Sequence, residues 1–93
     1  MASNPVALPL SEQVLEVFAK EARVDRSRLR LDLPASELGV SSLDLALAIF
    51  EIEDRFQVQL PESLLGAGQP TIGELVAMAV ERIEQRVAAE NAA

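Results

Sequence analysis

The run of residues best suited to chemistry in this 93-residue chain is Glu37-Leu38-Gly39-Val40-Ser41-Ser42-Leu43-Asp44. Two adjacent hydroxyls follow a glycine just where an apolar helical periodicity begins, so they stand at the start of a helix. A hydroxyl in that position can cap the free N–H groups of the helix end. That role needs no activated nucleophile, and the chain is poorly equipped to make one. It contains no Cys and no His. That excludes a thiol nucleophile, a Ser-His-Asp relay, a zinc site of thiolates or imidazoles and a disulfide framework. General acid–base work would rest on exposed carboxylates, so no catalytic residue and no metal ligand is assigned and the chain is not expected to be an enzyme. Any reactive group it uses is imported.

The elements that must position these serines follow from hydrophobic spacing. Leu10, Val14, Val17, Phe18 and Ala22 predict a first helix from about Ser11 to Ala22, with Ser11 as its N-cap. Arg23 to Ser41 reads as a long loop carrying Asp25, Ser27, Pro34 and Gly39. A brief alternation at Leu29, Leu31 and Leu33 could be a strand, but a strand without a partner is unstable in water. Leu29, Leu31, Leu33 and Leu38 are the residues available to pin the loop. A second helix is expected from Ser42 to about Phe56, with Ser41 as N-cap and Asp44 in the capping-box position, ending before Pro61. Glu62 to Leu65 allows only a short helical turn before Gly66 and Gly68. Thr71 and Glu74, after Pro70, form a capping box for a last helix with the stripe Ile72, Leu75, Val76, Ala79, Val80, Ile83 and Val87. The fold class is all-α: a small four-helix bundle of three main helices and one short one, with a long loop between the first two. Length indicates one domain over residues 1–93, with about 1–8 and 88–93 frayed.

At 100° per residue the second helix sorts into three faces. Leu45, Ala48, Ile49, Ile52 and Phe56 suffice to dock it, and Asp44, Glu51 and Arg55 lie opposite, with Arg55 spaced to pair with Glu51. Between them runs a strip of Leu43, Ala46, Leu47 and Phe50 bounded by Glu53 and Asp54. Two readings fit that strip. The other helices cover it, or it is a partner-docking surface formed by Leu43, Asp44, Ala46, Leu47, Phe50, Glu53 and Asp54, with acids steering the approach and an apolar centre holding the contact.

The formal net charge of −7 is unevenly spread. Five acids and five bases balance up to Ala35, whereas ten acids face three bases from Ser36 onward. Nucleic acid is excluded as a partner for want of a basic footprint, and partners with basic patches are favoured. No apolar run approaches a bilayer span, and the opening residues lack the pattern of a signal peptide, so a cytoplasmic, membrane-free monomer is expected.

Taken together, Leu38-Gly39-Val40-Ser41-Ser42-Leu43-Asp44, Ile52-Glu53-Asp54-Arg55-Phe56 and Leu60-Pro61-Glu62 resemble the acyl carrier proteins, over roughly Ser11 to Ile83. The serine motif is the specific part. The resemblance implies that Ser42, the serine before Leu43, accepts 4′-phosphopantetheine from coenzyme A through a separate phosphopantetheinyl transferase. It implies that acyl groups then ride as thioesters on the arm's thiol, for synthase, acyltransferase or acyl-activating partners with basic patches in fatty acid, lipid or polyketide biosynthesis. Three features depart from the family pattern. Ser41 stands where Asp is usual, Leu47 where an additional acid is usual, and Gly66-Ala67-Gly68 loosens the usual third helix, which suggests a specialised pathway. An aminoacyl or peptidyl carrier and an unmodified helical adaptor remain as alternatives.

Overall fold

The computed structural model describes residues 8–66 and 68–92, with Ala92 described by its main chain alone. Three α-helices account for most of it: α1 (Leu10–Ala22), α2 (Ser42–Phe56) and α3 (Ile72–Ala92). Three single turns of 3-10 helix, Arg26–Arg28, Ala35–Leu38 and Glu62–Leu65, lie in the connections, and no strand forms among the described residues. The all-α expectation and the bounds of the second helix hold. What the sequence offered as a fourth helix is the 3-10 turn Glu62–Leu65, cut short by Gly66. The expectation of a frayed start falls, for residues 1–7, outside the described residues.

Helix α1 is the spine. Its buried residues Val14, Leu15, Val17, Phe18, Ala19 and Ala22 pack against both other helices, most closely against α2. Phe18 is wholly buried and is the largest side chain in the core. Helix α2 contributes Leu45, Ala48, Ile49 and Ile52, and α3 contributes Ile72, Leu75, Val76, Ala79 and Ile83. Each large aliphatic buried in this way contributes roughly 1.5–3 kcal/mol. Ser11 does not cap α1. The helix begins one residue earlier, Pro9 occupies the cap position, and the Pro9 carbonyl accepts the N–H of Gln13 at 3.0 Å. Helix α3 outlasts its apolar stripe: Val87 is exposed, yet residues 88–92, read from the sequence as a fraying tail, are helical. Ala88 and Ala89 are strong helix formers, and Arg86 pairs with Glu90 one turn on at 2.9 Å.

The long connection is held mainly by its own backbone. Leu29 is buried and Leu33 and Leu38 are partly buried, but Leu31 points to solvent. The carbonyls of Leu33 and Leu31 instead accept the N–H groups of Ile72 and Gly73 at 2.8 and 2.9 Å, and Pro34 forms an isolated antiparallel bridge with Thr71. The leucine alternation is thus a short extended segment partnered by the start of α3. Gly73 makes this approach possible, since a Cβ there would sit 3.0 Å from the Leu31 carbonyl oxygen. Arg26 ties the loop to α1 through Nη2, which donates to both carboxylate oxygens of Glu12, at 2.9 and 3.2 Å.

Two substitutions test this architecture by urea unfolding. Ile52→Ala, at a wholly buried position, is expected to cost about 2–5 kcal/mol. Gly39 ends the Ala35–Leu38 turn with φ 78°, and a Cβ there would meet nothing within 4 Å. Gly39→Ala is therefore expected to lose about 1–2 kcal/mol through backbone strain alone; an unchanged midpoint would contradict that reading.

Candidate functional site

The site is built by the left-handed Gly39, which turns the chain into the first turn of α2. Val40 is buried and anchors that turn to the core. Ser41 is extended, with φ −71° and ψ 162°, and serves as the N-cap: its Oγ accepts the Asp44 N–H at 3.0 Å and its carbonyl accepts the Leu45 N–H at 2.9 Å. The capping box is only half formed here. At Thr71 both bonds exist, with Thr71 Oγ1 accepting from Glu74 at 3.1 Å and Glu74 returning to the Thr71 N–H at 2.9 Å. Asp44 makes no such return bond among the described residues, and its side chain is one methylene shorter.

Ser42 is the first residue of α2 and is exposed. Its hydroxyl has no hydrogen-bond partner among the described residues. The N–H groups of Ser42 and Leu43, at the first turn, have no intrahelical acceptor. The two serines therefore differ in kind: Ser41 is engaged in holding the helix end, and Ser42 presents a free hydroxyl beside an electropositive helix terminus.

The third face of α2 is uncovered. Leu43, Leu47 and Phe50 are 68%, 44% and 55% exposed, with Ala46 half-buried between them. Asp54 is exposed, Asp44 half-buried, and Arg55 pairs with Glu51 at 3.0 Å as its spacing suggested. Glu53 is placed differently from the other acids. It is half-buried, and its carboxylate accepts the N–H of Leu60 at 2.7 Å. Helix α1 leaves the strip bare because it packs on the Leu45–Ile52 face, and α3 packs mainly on α1.

Two neighbours of the site escaped the sequence reading. An open groove of about 830 Å³ continues the strip, with walls that include Phe50, Glu53, Asp54, Leu60 and Leu65. Leu65 is itself 37% exposed; its one signal was an apolar residue left over at the end of a turn too short to bury it. A smaller cleft of about 380 Å³ beside the first turn of α2 brings Arg23 and Arg28 together with Asp25, Glu37 and Asp44. The even charge balance of the first 35 residues concealed this local juxtaposition. No cluster of potential metal ligands forms among the described residues. No helix there is long and apolar enough to cross a membrane.

Comparison with known proteins accords with this geometry. Residues 12–79 match the family model described as a phosphopantetheine attachment site. The chain is 34% identical over 71 residues to the acyl carrier protein of Streptococcus thermophilus (strain CNRZ 1066), covering 76% of this chain and 92% of that one. It is 35% identical to the acyl carrier protein of Streptococcus pneumoniae serotype 4 and 32% identical to that of Streptococcus pyogenes serotype M1, with the same coverage. No solved structure matches it. With an all-helical fold, a matching attachment-site model and relatives aligned over nearly their whole length, the chain belongs to the acyl carrier protein family, whose members bear phosphopantetheine and are carriers, not enzymes.

Proposed function

We propose that this protein is an acyl carrier that receives 4′-phosphopantetheine at Ser42 and presents thioester-bound acyl groups to cytoplasmic enzymes of fatty acid, lipid or polyketide biosynthesis. The observation that carries this reading is the division of labour at the α2 start, where Ser41 is occupied as the cap and Ser42 is exposed and unengaged. The arm supplies the thiol that a chain without cysteine lacks. The protein's own residues hold the attachment point. Gly39 turns the chain, Ser41 fixes the first turn of α2, and the Ser42 and Leu43 N–H groups favour a phosphodiester on the Ser42 oxygen. The base and metal for the attachment belong to the transferase. The relatives are named acyl carrier proteins, which favours acyl over aminoacyl or peptidyl cargo.

The docking surface in this reading is Leu43, Ala46, Leu47 and Phe50, with Asp44 and Asp54 at its border, facing partners that present basic rims around an apolar recess. Leu47 shifts the balance from charge toward apolar contact.

Intact-mass measurement after incubation with coenzyme A and a broad-specificity phosphopantetheinyl transferase tests the attachment. Wild type and Ser41→Ala should each gain one phosphopantetheine, and Ser42→Ala none; modification that survives in Ser42→Ala refutes the assignment. Ser41→Ala should also lose about 0.5–2 kcal/mol of stability as its cap is removed. For docking, Phe50→Glu should abolish binding to a partner synthase while leaving modification intact. Binding by wild type should weaken as salt rises to about 0.5 M, where the Debye length falls to a few Å. Salt-independent affinity would mean that the acids do not steer the encounter.

A further inference from the structure

The segment that follows α2 is held by two side chains from two different helices. Glu53 of α2 accepts the Leu60 N–H at 2.7 Å, and Arg82 of α3 donates from Nη1 to the Gln59 carbonyl at 2.8 Å. Consecutive residues are thus gripped from opposite sides. The place matters, because α1 packs closely on both partners whereas α2 and α3 approach each other less closely. The Gln57–Leu65 segment closes the core on that side with Leu60, 7% exposed, and Leu64, 2% exposed. Its ends look like pivots. Gln57 stands in the left-handed region at φ 57°, its amide donating to the Asp54 carbonyl at 2.6 Å, and Gly66 and Gly68 follow the Glu62–Leu65 turn, Gly68 with φ 75°.

We infer that Glu53 and Arg82 form a clasp on a flap, residues 58–65, which controls opening of the aliphatic core between α2 and α3. Glu53 is then a positioning residue. It acts through the Leu60 N–H, and its charge is secondary to its oxygen, unlike Asp54, whose side chain is exposed on the docking border. When the clasp releases, the flap swings on Gln57 and the glycines, and Leu60 and Leu64 leave the core together. The bonds lost are two side-chain hydrogen bonds to one peptide unit, so the flap opens locally, well below the free energy of global unfolding. The value of such an opening to a tethered apolar cargo rests on the carrier reading; the clasp itself does not.

Amide hydrogen exchange on the unmodified chain, read by mass spectrometry for 57–65 and for α1, separates the alternatives without requiring Ser42 to be modified. Glu53→Ala and Arg82→Met should each speed exchange in 57–65 by about three- to tenfold, with α1 unchanged. Glu53→Gln, which keeps an acceptor oxygen and discards the charge, should stay within about twofold of wild type. Emission of 1-anilinonaphthalene-8-sulfonate should rise in Glu53→Ala and rise further in the double variant as the apolar interior is bared. Faster exchange spread equally over α1 and the flap would overturn the clasp, as would a Glu53→Gln variant that behaves like Glu53→Ala. Local exchange without added dye emission would overturn the opening onto the core.

Discussion

The burial of the α1 face carrying Val14, Leu15 and Phe18 is the interaction on which the rest of the structure depends. With no Trp or Tyr and only three Phe in the chain, a single wholly buried ring must anchor a core otherwise made of aliphatic side chains. Both α2 and α3 satisfy their apolar faces against this one helix. The arrangement consumes only one face of α2, that of Leu45, Ala48, Ile49 and Ile52. A helix with two apolar faces and one neighbour of any extent must leave the other in water. The exposure of Leu43, Leu47 and Phe50 is thus a consequence of how the bundle is centred, and the docking surface we propose rests on that exposure.

The first turn of α2 shows how little machinery the attachment proposed at Ser42 needs. A carrier does not activate its own nucleophile, so its requirements are a rigid helix start, an accessible hydroxyl and an environment tolerant of negative charge. Gly39 and Val40 set the direction of the turn, Ser41 satisfies an N–H that would otherwise lack a partner, and Ser42 is left free. Where Asp is usual before the modified serine, Ser41 performs the capping without adding a charge. The cleft beside this turn gathers Arg23 and Arg28 with Asp25, Glu37 and Asp44, so charges of both signs flank the start of α2.

Much of this was legible from residue types. The α2 bounds, the role of Ser41 as cap, the reciprocal Thr71–Glu74 box, the Arg55–Glu51 pair and the short turn at Glu62 are local, each set by residues within four positions of one another. What local spacing leaves out involves longer range or marginal ends. The spacing of Leu31 matches that of Leu29 and Leu33, but its carbonyl is what holds the loop, through an N–H of Gly73. Glu53 and Asp54 border the same strip; only the position of Leu60 shows that the Glu53 carboxylate also makes a structural bond. Ser11 is adjacent to a helix start, yet Leu10 already fits the helix and the cap falls to Pro9.

The sequence by itself determined which chemistry the chain lacks and where α2 begins. Without Cys or His it has no thiol or imidazole of its own, and Leu38-Gly39-Val40-Ser41-Ser42-Leu43-Asp44 marks the start of α2, where we propose the attachment, because caps, turns and helical periodicity are properties of neighbouring residues. Tertiary structure decided what is covered. Whether the second apolar strip of α2 faced a neighbour or solvent, which acids of that helix are free, and how the segment after it is held all depend on the relative placement of three helices. Hydrophobic periodicity specifies that a face is apolar; it carries no information about which of two apolar faces the limited surface of α1 will bury.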